Sequence, residues 1–128
     1  MRMTKLLIVM VALFCCAQPV WAVGPAIAFD YEVQDLGFVS RGQSVSVRFP
    51  FTNGGDGVLV LQGIGADCGC TETYGGSQEV PPHGRSEVVA VLDTGRLNPG
   101  KNQKHIHVRC NDASRYQVTL TMVIEVIP

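Results

Sequence analysis

Ser44-Val45-Ser46-Val47-Arg48-Phe49-Pro50-Phe51-Thr52-Asn53, followed by Gly54-Gly55-Asp56-Gly57, is the stretch that decides the fold class. Val45, Val47, Phe49 and Phe51 share one parity, and Ser44, Ser46, Arg48 and Pro50 share the other. A period of two is that of a β-strand with one buried face. Pro50 has no N–H to give to a ladder, so the strand is expected to be bulged or to lie on an edge at that point. Asn and Gly tolerate the left-handed backbone, so residues 53–57 read as a tight turn.

The same pattern extends in both directions. Residues 26–33 alternate after Ile27 and read as a half-buried strand, followed by Asp35-Leu36-Gly37-Phe38-Val39 and a turn at Ser40-Arg41-Gly42-Gln43. Residues 58–64 begin almost wholly apolar, as in a strand partly covered on both sides. Glu79-Val80-Pro81-Pro82-His83-Gly84 is a turn with a short extended entry, because each proline fixes its own φ and restricts its predecessor. Residues 87–93, 102–110 and 116–127 are further strands, separated by Asn98-Pro99-Gly100 and Asn111-Asp112-Ala113-Ser114. No stretch shows helical spacing over a usable length. Strands at roughly ten-residue spacing with Gly, Pro and Asn turns imply an all-β sandwich, and about seven of them suit an immunoglobulin-like topology. The Cys…Trp…Cys hallmark of antibody domains is missing, since Trp21 precedes the patterned region.

That preceding region reads as a secretory signal peptide over residues 1–22. Arg2 and Lys5 form a basic start, residues 6–17 are an apolar run short for a membrane span, and Val20-Trp21-Ala22 suits cleavage before Val23. Phe14 and Cys15 before Cys16 do not suit a lipoprotein site. The expectation is therefore an exported protein, periplasmic or secreted, with one domain over residues 23–128 and no membrane insertion after cleavage. Loss of Arg2 and Lys5 from ten basic residues leaves eight against eleven acidic ones. No basic patch points to nucleic acid or an anionic membrane. The partner is expected to be another envelope or exported protein.

The order Phe29, Asp35-Leu36-Gly37, Gly42, Phe49-x-Phe51-x-Asn53-x-Gly55, Leu59-x-Leu61, Cys68-Gly69-Cys70-Thr71, Pro82-His83-Gly84, Asp93-Thr94, Gly100 and Asn111-Asp112 resembles the bacterial domain-of-unknown-function 1573 family. The resemblance runs from about Phe29 to Val126, with Leu36 standing where the family usually has Phe. It implies an immunoglobulin-like domain of the major-sperm-protein and hydin type, in an exported or envelope protein. It carries no established activity.

Cys68 and Cys70 are the sharpest chemical feature, with Cys110 as the third cysteine of the domain. An odd number of cysteines in an oxidising compartment leaves one unpaired, metal-bound or intermolecular. Three uses compete: a Cys68–Cys70 bond in a tiny ring with little stabilising effect, a staple from Cys110 to Cys68 or Cys70, and two thiolates binding copper or zinc. His105 and His107 lie at i and i+2 on one strand face and, with Cys110, are candidate additions to a metal site; otherwise they belong to a solvated face beside Lys101, Gln103 and Arg109. The parity of Cys110 with Ile106 and Val108 favours a small buried apolar role. There is no Gly-x-Ser-x-Gly elbow, phosphate-binding glycine loop or His-Glu-x-x-His sequence. The expectation is a non-catalytic module with no cofactor, whose alternative is thiol redox or soft-metal binding at Cys68 and Cys70.

Overall fold

A computed structural model describes residues 24–76 and 78–128, so the expected signal peptide lies outside the described residues. The strands are β1 (Ile27–Phe29), β2 (Val33–Ser40), β3 (Ser44–Asn53), β4 (Leu59–Ala66), β5 (Thr71–Tyr74), β6 (Glu79–Val80), β7 (Arg85–Asp93), β8 (Gly100–Cys110) and β9 (Gln117–Ile127). They form a four-stranded sheet in the order β1-β3-β7-β5 and a five-stranded sheet in the order β2-β9-β8-β4-β6. The all-β sandwich read from the sequence is thus present. The strands not expected are the short β5 and β6, each paired along one longer neighbour.

The deciding stretch forms β3 over the whole of Ser44–Asn53. Val47, Phe49 and Phe51 are buried between the sheets, with Val45 packed against them. Pro50 sits on the edge side of the strand. The Asp30 N–H donates to the Pro50 carbonyl at 3.0 Å, so Pro50's nitrogen also faces that side, just beyond the end of β1. The β3–β7 register runs through Pro50 without a bulge.

The expected single strand over residues 26–33 is a correction. Ile27 and Phe29 pair with β3, but the chain then leaves that sheet at Asp30-Tyr31-Glu32 and joins the other as β2, parallel to β9. The crossing is held on both sides: Arg85 pairs with Asp30 at 2.6 Å, Arg115 pairs with Glu32, and the Thr121 N–H donates to the Glu32 carbonyl at 2.8 Å. Changing sheets reverses which parity faces inward, so Val33 is exposed although it shares the parity of buried Ile27.

One extra residue in β2 has a packing consequence. The register with β9 shifts between Asp35 and Phe38, with Gly37 at φ +68° and its N–H held by Asp35 Oδ1 at 2.9 Å. A β-bulge of this kind re-aims the side chains beyond it. Leu36 and Val39, which regular alternation would place on opposite faces, both pack on the core, while Phe38 points outward.

The core is one layer between the sheets. Phe49, Phe51, Leu59, Leu61, Val88, Ile106, Leu120 and Met122 fill its larger part. Cys70, Leu92, Leu97, Ile124 and Val126 fill the end beneath the 3₁₀ turn Thr94–Arg96. Thr94 is fully buried there and bridges backbone groups. Its hydroxyl donates to the Gln43 carbonyl at 2.7 Å and accepts the Gln43 N–H at 2.8 Å.

Candidate functional site

Asp67-Cys68-Gly69-Cys70 is the link that carries the chain from the five-stranded sheet to the four-stranded one. The Asp67 N–H donates to the His105 carbonyl of β8 at 3.3 Å, the last ladder contact of β4. Three residues on, the Cys70 carbonyl accepts the Asp93 N–H of β7 at 2.8 Å. Between them the Thr71 N–H closes a turn onto the Cys68 carbonyl at 3.2 Å. Gly69 stands exposed at the apex, and Arg96 Nη1 donates to its carbonyl at 2.9 Å. Arg96 belongs to the 3₁₀ turn, which Asp93 caps by accepting the Gly95 N–H at 2.9 Å.

Cys68 and Cys70 are bonded to each other. Their environments differ. Cys70 is 3% exposed and packs on Leu92, Leu97, Ile124 and Val126, whereas Cys68 is half-buried. The Cys70 N–H points at Cys68 Sγ (3.1 Å), and the Thr71 hydroxyl lies 3.6 Å from Cys70 Sγ. A cleft of about 170 Å³ opens beside the turn, lined by Ser44, Gly69, Cys70, Glu72, Asp93 and Arg96 among others. By chain entropy a ring this small adds roughly 1.6 kcal/mol, against about 4 kcal/mol for a Cys68–Cys110 loop.

Of the three competing uses, the staple from Cys110 to Cys68 or Cys70 is not formed. Cys110 is a free, buried thiol at the far end of β8, opposite Leu61 of β4. It lies five positions along the strand from His105, where Asp67 meets β8, or about 17 Å at strand spacing. A disulfide needs Cα atoms within about 7 Å. The Cys110 thiol instead donates to the Arg115 carbonyl at 3.2 Å, and burial pushes its pKa upward. Alkylation of Cys110 in the folded protein is therefore expected to be slower than in denaturant by about two orders of magnitude, because reaction waits on opening. Iodoacetamide labelling followed by peptide mass spectrometry checks this; equal rates would show an accessible thiol.

The soft-metal alternative also fails to assemble among the described residues. His105 Nδ1 lies 3.1 Å from Thr121 Oγ1, and His107 Nδ1 lies 3.2 Å from Thr119 Oγ1, both across the β8–β9 ladder. His107 Nε2 contacts Asp67 Oδ1 at 2.7 Å. With Cys68 and Cys70 bonded to each other, their sulfurs are not thiolate ligands, and Cys110 lies in the other part of the core. Among the described residues no group of three or more His, Cys, Asp or Glu side chains stands close enough to hold a metal ion. The residues present do not fit copper or zinc in this disulfide-bonded state.

Two features escaped the sequence reading. Arg96 is positioned over Gly69 by the Asp93-Thr94-Gly95 turn, for which Asp two residues before Gly was the available signal. The second is apolar surface at the outer edge of β2. Phe38 is 72% exposed and Val33 61%. A shallow cleft of about 500 Å³ joins Phe38 to Pro99, Val126, Ile127 and Pro128.

Comparison with known proteins agrees with this architecture. A family model described as Protein of unknown function (DUF1573) matches residues 27–126. No curated protein matches the chain. Among solved structures, a protein of unknown function from Porphyromonas gingivalis W83 is similar at 17% identity and TM-score 0.73, covering 81% of this chain and 48% of that one. This chain therefore spans about half the length of the Porphyromonas protein. PapD-like domain 7 of human CEP192 is similar at 9% identity and TM-score 0.64, over 79% of this chain and 84% of that one. WR4, a Caenorhabditis elegans MSP family member, is similar at 12% identity and TM-score 0.51, over 79% and 97%. At these identities the likeness shows an immunoglobulin-like fold of the PapD and MSP kind, and the fold alone.

Proposed function

The chain belongs to the domain-of-unknown-function 1573 family, and from that premise we propose that it is an exported, non-catalytic immunoglobulin-like module that binds another protein through the outer edge of β2. The observation that carries this reading is Phe38, 72% exposed on a strand whose outer side pairs with no other strand among the described residues. Such an edge presents free backbone N–H and C=O groups, and most folded chains protect it with charge, proline or cover. Here it carries Val33 and Phe38, with Asp35 and the bulge at Gly37 between them, and Ile127, Pro99 and Pro128 continue the apolar surface beside Glu125. The occupant that suits both properties is an extended apolar segment of a second exported protein, added to β2 by backbone pairing with side chains seated near Phe38. Export rests on the pattern of residues 1–22.

Cross-linking and pull-down from envelope extracts test the reading. The Phe38→Asp variant is expected to lose recovery of the partner captured by the native protein by about tenfold or more, as a central apolar anchor does. Its melting temperature is expected to stay within a few degrees, because an exposed side chain contributes little to folding. Equal recovery of the same partner by Phe38→Asp overturns the assignment of this edge.

A further inference from the structure

We propose that the Cys68–Cys70 cystine is a thiol–disulfide exchange site that takes two electrons from a dithiol of a partner protein. The first support is that the link between the sheets does not depend on the bond. Its turn is closed by Thr71 N–H to Cys68 carbonyl, its exit by Asp93 N–H to Cys70 carbonyl, and its apex by Arg96 on the Gly69 carbonyl. The cysteines are two positions apart, so the bond ties no distant segments together. A cystine that staples nothing can open without unfolding the domain.

The second support is the difference between the sulfurs. Cys68, beside exposed Gly69, is the less buried of the two residues although it also packs on the same apolar cluster, while Cys70 lies at the base of the turn against Leu92 and Ile124, and attack at Cys68 is the course proposed. That geometry fixes the order of steps. The partner's thiolate attacks Cys68 Sγ, an intermolecular S–S bond forms, and the Cys68–Cys70 bond breaks with Cys70 leaving as thiolate. The partner's second thiolate then attacks its own sulfur in the mixed disulfide, closing the partner's disulfide and releasing Cys68 as thiolate. Two protons from the dithiol end on Cys68 and Cys70, so the partner is oxidised and the cystine reduced by two electrons.

Polar groups to receive these thiolates are already in place. The Cys70 N–H is directed at Cys68 Sγ, and the Thr71 hydroxyl stands beside Cys70 Sγ. Arg96 contributes a positive charge at the apex. Of the acidic neighbours, Asp93 pairs with Arg96 itself at 3.7 Å and offsets part of its charge, while Asp67 contacts His107 and Glu72 accepts from the Tyr74 hydroxyl at 2.8 Å.

The test uses the purified oxidised protein without denaturant. It is treated with dithiothreitol, then alkylated and analysed by mass spectrometry. A label is expected on Cys68, absent from an untreated control, but not on the buried Cys70 and Cys110, with the melting temperature lowered by no more than about 10 °C. A reduced synthetic peptide carrying two cysteines is expected to gain one disulfide per protein chain. Two variants then separate the sulfurs: Cys70→Ser, which keeps the accessible thiol, is expected to react with glutathione disulfide at least about tenfold faster than Cys68→Ser, which keeps the covered one. The proposal is overturned by reduction that occurs only in denaturant, by loss of folded structure on reduction, by a peptide that remains reduced, or by equal or reversed rates of the two variants.

Discussion

Asn53→Ala is expected to lower the unfolding free energy by about 3–5 kcal/mol, because four buried or half-buried backbone groups lose their partner at once. Asn53 is fully buried where β3 ends. Its Nδ2 donates to the Gly57 carbonyl at 2.7 Å and the Val80 carbonyl at 3.0 Å, and its Oδ1 accepts the Ala26 and Gly55 N–H groups, each at 3.1 Å. One side chain thus joins the entry to β1, the β3–β4 turn and β6. Gly55 completes the arrangement, since its Cα lies too close to the backbone of residues 24–26 to carry a Cβ. Asn53→Asp keeps both acceptor positions but has nothing to donate to the two carbonyls, so it too is expected to destabilise strongly. Urea unfolding followed by circular dichroism gives the difference; a loss below about 1 kcal/mol for Asn53→Ala would show that water replaces the amide without cost.

Phe49→Ala is expected to cost a similar amount, about 3–5 kcal/mol, through a different cause. Phe49 is wholly buried, opposite Val88 in the β3–β7 register, with its ring centroid 6.4 Å from that of Tyr31. Truncation removes apolar area from a layer confined between two hydrogen-bonded sheets, which cannot move together to close the space. The control is Phe38→Ala, the same change on the exposed side of β2, where a shift within about 0.5 kcal/mol is expected. Equal denaturation midpoints for Phe49→Ala and the native protein would contradict the packing described for the core.

These two residues also show what was legible in the chain. Phe49 announced itself by alternation, because a strand between two sheets obeys a period of two at every buried position. Asn53 did not, since an Asn before two glycines reads equally as a solvated turn; its burial depends on residues 26, 57 and 80, brought together only by the fold. The same limit applies to β2. Strand character was visible, but the change of sheet after Phe29 and the bulge at Gly37 invert parity twice, and no local pattern predicts that. At the candidate site, Cys68 and Cys70 were evident from spacing, whereas the position of Cys110 depends on β4–β8 register, a long-range property.

The passage of one segment between both sheets has a consequence for the order of assembly. The place of β2 in its sheet is made by β9, and the Ile27 N–H is received by the buried Asp112 carboxylate, 85 positions later in the chain. A polypeptide emerging from its N-terminus therefore holds an unfinished first segment until its last strand arrives, and the loop to be closed is nearly the whole domain. A nascent chain stalled before Gln117 has no ladder for β2 and only the β4 side of the ladder for β8. Completion is consequently a late event, set by arrival of the C-terminal strand.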